Sequence, residues 1–361
     1  MPINFSCIEP NCSKDFNVSE QNIGRKTNCP QCGNVVIIPT QTVAACQKLF
    51  IDTHGREMAN YRYLMGFGIT RKRIDLMEWL LRQRPDIDIN AGDNITTKAS
   101  GTFMNAAAAM PDSVEMMQLL KDRGAGVNTP NSNGDKPIHY AAMYGNFEVI
   151  KWLVRKNVVN VNEPGQAGRT PIHCAAEYGR LQCLKSLVDE LPVNILIRND
   201  DDLSVMHFAA GEGHIDCMEY LASLESGLVE ASGASGMTPM HSAALSGQVA
   251  SIECLKILGA SVNAINVQGI TPIHLAALKG QIAGMKCLKR LEANIDYPVA
   301  ANGFTAIFFA AASGQIPSLQ CLKDLRARFD VRSTEGLTVL DIAVRAGQTE
   351  AAEWLRRNGV R

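Results

Sequence analysis

The sequence predicts a mainly α protein, a solenoid of stacked helix pairs with projecting β-turn loops, preceded by a small β-rich module. Three observations predict it. A tetrapeptide of the form Thr-Pro-Ile/Met-His recurs at Thr170–His173, Thr238–His241 and Thr271–His274, with weaker copies starting at Thr102, Lys136, Ser204, Thr305 and Thr338. Successive starts lie 33 or 34 positions apart, and after each of them apolar residues return at helical spacing. Ahead of the array, cysteines fall in two close pairs.

The first element, residues 1–40, carries Cys7 and Cys12 with four residues between them, then Cys29 and Cys32 with two between them. Four thiolates in two short loops suit tetrahedral zinc, which would tie together hairpins too small to build a core of their own. Bound metal would supply on the order of 10 kcal/mol of folding free energy. The expected cofactor is therefore a structural Zn2+; four unrelated reduced thiols are the alternative. The stretch NCPQCGNVVIIP resembles the second knuckle of a zinc ribbon, with Pro30 and Gly33 shaping the turn and Val35 to Ile38 as a strand. The first knuckle departs from the commoner two-residue spacing.

Charge decides what such a module would touch. Residues 1–40 balance Lys14, Arg25 and Lys26 against Glu9, Asp15 and Glu20, which makes a poor phosphate-binding surface. Residues 46–85 are more basic, with eight Lys/Arg, including Arg71-Lys72-Arg73, against four acidic residues. A solvated helix face accounts for that run.

Residues 41–101 are expected to form a helical linker and a degenerate capping repeat. RIDLMEWLL at Arg73–Leu81, followed by Asp86–Asn90, has the form of a second helix and its exit, with a first helix near Glu57–Gly66. Cys46 and His54 fall in a predicted helix as structural residues.

In the array itself, the unit starting at Thr271 shows the local causes. Thr271 can cap a helix, and Pro272 fits its first turn, where no N–H is needed. Ala276-Ala277 lets neighbouring helices approach closely, and Gly280 supplies the left-handed residue that ends the first helix. Met285, Leu288 and Leu291 then make the apolar stripe of a second, antiparallel helix. Asn294 onward leaves the helix, and Asn302-Gly303 turns the chain toward Thr305.

With its TPxH start, 33-residue period and Asn-x-x-Gly turns at Asn131–Gly134 and Asn266–Gly269, the array resembles ankyrin repeats. Eight units are counted over residues 102–361. The resemblance implies that His139, His173, His207, His241 and His274 hydrogen-bond backbone between repeats, and that His214, after Gly213, is structural too. It puts the inter-repeat bond in doubt where Phe308 replaces histidine. The first unit, with Phe103 and Asn105, and the last, with Val339 and Asp341, deviate as caps would.

The resemblance also implies a protein partner on the concave face, met by turn tips and the exposed ends of first helices. Carried onto this sequence, the candidate contacts are Met143, Tyr144, Glu177, Tyr178 and Glu212 on the helices. Ser132, Asn133, Asp135, Gln166, Arg169, Asp200 and Asp201 are their counterparts on the turns. Tyr, Met and Arg, common interface anchors, concentrate in the second and third units. The alternative is that Tyr144 and Tyr178 only pack against one another.

Identical histidine slots recurring along a solenoid do not converge on a catalytic centre, so structural roles are expected for them. Cys254, Cys287 and Cys321, each sixteen positions after its Thr, and Cys183 and Cys217, thirteen after theirs, read as small core residues. Trp152 and Trp354 share the first of these slots with Tyr220 and Ser186, which places it at the margin of the core. Cys174 beside His173 makes no dyad, because adjacent helical residues point about 100° apart.

The bulk properties exclude other classes. With 35 Lys/Arg against 36 Asp/Glu there is no global field toward nucleic acid or anionic lipid. No phosphate-cradling loop, nucleophile elbow or His-Glu metal motif is present, so no enzyme is expected. The most apolar run, Phe304–Ala312, is too short to span a bilayer, and MPINFSC lacks the form of a cleaved signal. Eleven cysteines, several in apolar helical patterns, suit a reducing, cytoplasmic compartment. The expectation is a monomeric, non-enzymatic protein-binding scaffold. A nucleic-acid adaptor acting through residues 1–85 and a bacterial effector acting on a host protein are the readings left beside it.

Overall fold

The computed structural model describes backbone strands at residues 3–6, 15–18, 26–28 and 35–37, then residues 65–66, 68–83, 87–90, 92–93 and 101–360 except 158. Cys7, Cys12, Cys29, Cys32, Cys46 and His54 lie outside the described residues. The chain divides into two compact units, Met1–Ser132 and Asn133–Arg361.

In the first unit, β1 (Ile3–Ser6) pairs antiparallel with β2 (Asp15–Val18), and β3 (Lys26–Asn28) with β4 (Val35–Ile37). A short pair, β5 (Gly92–Asp93) with β6 (Gly101–Thr102), precedes the first repeat. The sequence RIDLMEWLL forms α1 (Ile74–Gln83), which buries Leu76, Met77, Leu80 and Leu81 and packs on α3 (Val114–Asp122). Between them in sequence comes α2 (Phe103–Ala108), buried along its whole length. Asn90 donates to the Gly124 carbonyl and accepts from the Gly126 N–H, at 3.2 and 2.7 Å.

The second unit is seven helix pairs. The first helices are α4 (Pro137–Tyr144), α6 (Pro171–Glu177), α8 (Val205–Glu212), α10 (Pro239–Ser246), α12 (Pro272–Leu278), α14 (Ala306–Ala312) and α16 (Val339–Arg345). Each is followed by its partner: α5 (Phe147–Asn157), α7 (Leu181–Glu190), α9 (Ile215–Leu224), α11 (Val249–Ile257), α13 (Ile282–Arg290), α15 (Ile316–Asp324) and α17 (Thr349–Arg357). First helices pack on the first helices of adjacent repeats, and second helices stack likewise. The Ala pairs at 141–142, 175–176, 209–210, 243–244, 276–277 and 310–311 are completely buried, so small side chains set the close approach of the inner row. Leu153, Leu187, Leu221, Leu255, Leu288, Leu322 and Leu355 fill the space between the rows.

Three hydrogen-bond ladders join the repeats. In the first, histidine Nε2 meets a carbonyl of the next turn: His139 with Glu163, His207 with Met237, His241 with Ile270 and His274 with Tyr297, at 2.8 to 3.0 Å. The same rings accept at Nδ1 from the N–H that opens their own helix, at residues 136, 204, 238 and 271. That geometry fixes the neutral tautomer with its proton on Nε2. His173 keeps the Nδ1 bond, but its buried Nε2 has no partner among the described residues. The carbonyls of Ile197 and Leu203 face it without reaching hydrogen-bond geometry, and its ring stands edge-on to Phe208.

In the second ladder, the residue after the helix-ending glycine reaches back to the preceding repeat. Arg180 donates to Met143 O, His214 Nε2 meets Glu177 O, Gln281 donates to Leu245 O and Gln348 to Ala312 O. In the third, Asn162 accepts from Asn194 N and donates to Pro192 O, and Asn263 repeats the pattern with Asn294 N and Glu292 O.

The N-cap hydroxyls of Thr170, Ser204, Thr238 and Thr271 lie 2.8 to 3.0 Å from the Nδ1 of the histidine three residues on, and that ring in turn closes a capping box on the N-cap N–H. Thr102 and Thr338 cap directly, accepting from the N–H of Asn105 and Asp341. Asp341 completes a reciprocal box by accepting from Thr338 N and Oγ1, both at 2.8 Å. Phe308 gives no such bond: it is fully buried, stacks on Phe304 at 4.8 Å, and leaves the Thr305 hydroxyl without a partner among the described residues.

Candidate partner-binding surface

The positions before each helix-ending glycine lie at the open end of the first helices. Tyr144 is 53% exposed and Tyr178 is 45% exposed, whereas Met143 is only 7% exposed. Met143, a candidate contact from the sequence, has its side chain packed inside the repeat, and its carbonyl accepts from Arg180. Among the described residues no ring stacking joins Tyr144 and Tyr178. Each presents a ring to solvent.

Glu177 and Arg169 form a partly buried ion pair at 2.6 Å, and Arg169 also donates to the Gln166 carbonyl and side-chain oxygen. Burial holds the Glu177 carboxyl above its usual range against the pull of Arg169, and Glu212 adds to the rise. Burial opposes the charge on Arg169, yet the carboxylate of Glu177 leaves its pKa above the ordinary value. Tyr178 is raised too, by burial first and then by the charge of Glu177. Tyr144, Glu177 with Tyr178, and Glu212 stand at the C-terminal ends of α4, α6 and α8, three successive first helices.

The turns contribute unevenly. Asp135, a candidate contact from the sequence, is buried and accepts from Gln166 N, so it anchors the turn. Gln166, Asp200, Asp201, Asp202 and Glu212 are exposed. Backbone bonds from Asp200 N to Ala167 O, from Ala234 N to Asp201 O and from Val267 N to Ser235 O tie successive tips together. Asn133 is exposed in the second unit, and Ser132, also exposed, belongs to the first.

Groups that would otherwise attract a catalytic reading are structural. Burial pushes the Cys183 thiol up to about 12 and Cys217 up to about 11, and raises Cys174, Cys254, Cys287 and Cys321. Thiols held protonated are poor nucleophiles. The thiols are buried while Tyr220, Ser186 and Trp354 in the shared slot are half-exposed. Among the described residues, no three His, Cys, Asp or Glu gather as a metal site, and no helix is long and apolar enough to cross a membrane.

Sequence reasoning missed the second ladder and the Arg169–Glu177 pair. The ladder had a signal, because Gly-His or Gly-Gln recurs at 213–214, 247–248, 280–281, 314–315 and 347–348. The ion pair joins a turn to a helix eight residues on, and no periodicity marks it.

This fold and row of surface residues define a repeat protein of the helix-pair class. A family model described as "Ankyrin repeats (3 copies)" matches residues 68–163, 103–200, 191–266 and 273–361, and the chain belongs to the ankyrin-repeat family. No curated protein matches the chain.

Proposed function

We propose that the chain is a non-enzymatic scaffold that binds a protein partner through the row Tyr144, Tyr178, Glu177 and Glu212 and the tips at Gln166, Arg169, Asp200 and Asp201. The observation that carries this reading is the pair of exposed tyrosines on adjacent first helices, in an array whose other large inner side chains are mostly buried. The Ala pairs and the hydrogen-bond ladders hold the row rigid, which reduces the ordering cost of binding. Affinity capture with the full chain, compared with a Tyr144→Ala/Tyr178→Ala variant, tests it. Loss of captured protein at unchanged far-UV circular dichroism is expected; identical capture by the variant overturns the assignment of the surface.

The domain reading assigns residues 1–40 to a zinc module, 41–101 to a linker and degenerate repeat, and 102–361 to eight repeats. Cys7, Cys12, Cys29 and Cys32 are its zinc ligands. In sequence, each cysteine pair falls between the two strands of one antiparallel pair, β1 with β2 and β3 with β4, and four cysteines in two such pairs suit one tetrahedral ion. Elemental analysis should find one zinc per chain, lost on Cys29→Ser/Cys32→Ser substitution. Zinc retained in that variant rules the site out.

The nucleic-acid reading is disfavoured by its own cations. Lys72 is paired with Asp112 and Arg73 with Asp75, so two charges of the basic run are engaged within the unit.

A further inference from the structure

We infer that the row of Tyr144, Tyr178 and Glu212, rimmed by Asp200, Asp201 and Asp202, takes a Lys/Arg-bearing segment of a partner protein in extended, polyproline II-like form. The inference rests on the reading that this face binds protein, and it adds the chemistry of what is bound. Its first support is which charges are left over. The cations of the surrounding repeats are engaged: Lys136 by Glu163, Arg169 by Glu177 and Gln166, Arg180 by the Met143 carbonyl, and Arg198 by the carbonyls of Asp202 and Ser232. By contrast, Asp200, Asp201, Asp202 and Glu212 are exposed and have no cationic partner among the described residues. Arg180 and Arg198 keep their charge beside neutral carbonyls, but the exposed carboxylates of Asp200, Asp201, Asp202 and Glu212 outnumber them, so the net charge of this face is negative.

The second support is the two tyrosines. Exposed rings beside carboxylates attract ammonium and guanidinium groups through their electron-rich faces, and a long basic side chain also covers the ring with its methylene stem. An acidic partner would meet repulsion here, and a purely apolar one would strand the carboxylates.

Spacing supplies the third. Packed neighbouring helices lie about 8–10 Å apart, so Tyr144, Tyr178 and Glu212, one per successive first helix, are spaced by about that distance. A polyproline II strand has three residues per turn and rises about 3.1 Å per residue, which puts every third side chain on one face about 9 Å apart. Basic residues at every third position therefore meet the two rings and Glu212 in register. A regular β-strand, which alternates faces, presents the third residue to solvent.

Fluorescence anisotropy with the full chain and short synthetic peptides tests this. The probes carry lysine at every third position, lysine at every second position, or glutamate at every third position. The first should bind most tightly, more weakly as salt rises, and the glutamate peptide should not bind. Tyr144→Ala/Tyr178→Ala and, separately, Asp200→Lys/Asp201→Lys/Glu212→Lys should each weaken it by about tenfold or more. Absence of binding by either lysine peptide overturns the proposal, as does equal binding to the parent and both variants. If the tyrosine variant loses captured protein while no basic peptide binds the parent, the surface stands and the basic chemistry falls. If neither changes, both fall.

Discussion

Thr271 and Thr305 occupy the same slot and have the same extended backbone, yet their hydroxyls meet different fates. Thr271 Oγ1 lies 2.8 Å from His274 Nδ1, while Thr305 Oγ1 is buried with no hydrogen-bond partner among the described residues. A hydrogen bond of this kind contributes about 1 kcal/mol net, whereas an unsatisfied buried hydroxyl costs on the order of 1–3 kcal/mol. Thr271→Val should therefore destabilise the protein by about 1 kcal/mol, and Thr305→Val should be neutral or stabilising. Urea-unfolding midpoints of the two variants check this, and equal losses would show that the hydroxyls do not matter. The pair shows why a motif letter does not settle a residue's role: the partner three positions on decides it.

At the scale of elements, the glycines after each first helix meet two demands. Gly247 and Gly347 both sit at positive φ, 74° and 73°, where an L-residue is strained. A Cβ on Gly247 would come within 2.2 Å of Gln281 Oε1, while one on Gly347 would meet nothing within 4 Å. Gln281 can swing away, but doing so gives up its bond to the Leu245 carbonyl. Gly347→Ala should cost about 1 kcal/mol for backbone alone, and Gly247→Ala about twice that, in thermal or urea unfolding. A matched loss at both sites would remove the second ladder from the account. This contrast also marks what the sequence made legible. Helix starts, ends and the Ala pairs each have a local chemical cause that recurs with the period, so they could be read residue by residue. The burial of Met143 and Asp135 and the bond from Arg169 to Glu177 depend on which neighbour each side chain meets after stacking. No one-dimensional pattern records that, so the burial of these two candidate contacts was not legible in the sequence.

Across the whole molecule, the histidine ladder makes stability a function of pH. Burial lowers the pKa of His139, His173, His207, His241 and His274, to about 4 at His173, His207 and His274. The carbonyls of Glu163, Met237, Ile270 and Tyr297 pull the other way at four of them, and Arg198 adds to the lowering at His173 and His207. In the unfolded chain these rings titrate near 6.5. Between about pH 6.5 and 4 the unfolded state therefore binds more protons than the native state, and stability rises with pH across that window. The contribution is complete above about pH 6.5 and is lost as pH falls toward 4, below which the native rings protonate as well. Protonation would place a hydrogen on Nδ1 against the backbone N–H it accepts from, breaking the bond at the helix start while Nε2 keeps its proton and its carbonyl partner. Glu177, with its carboxyl raised by burial, works in the opposite direction as a single group. Five rings outweigh it, so the urea midpoint followed by far-UV circular dichroism should fall steadily from about pH 7 to about pH 5. A flat or rising midpoint over that range would mean the rings titrate normally in the native array, contrary to the neutral tautomer that the ladder requires.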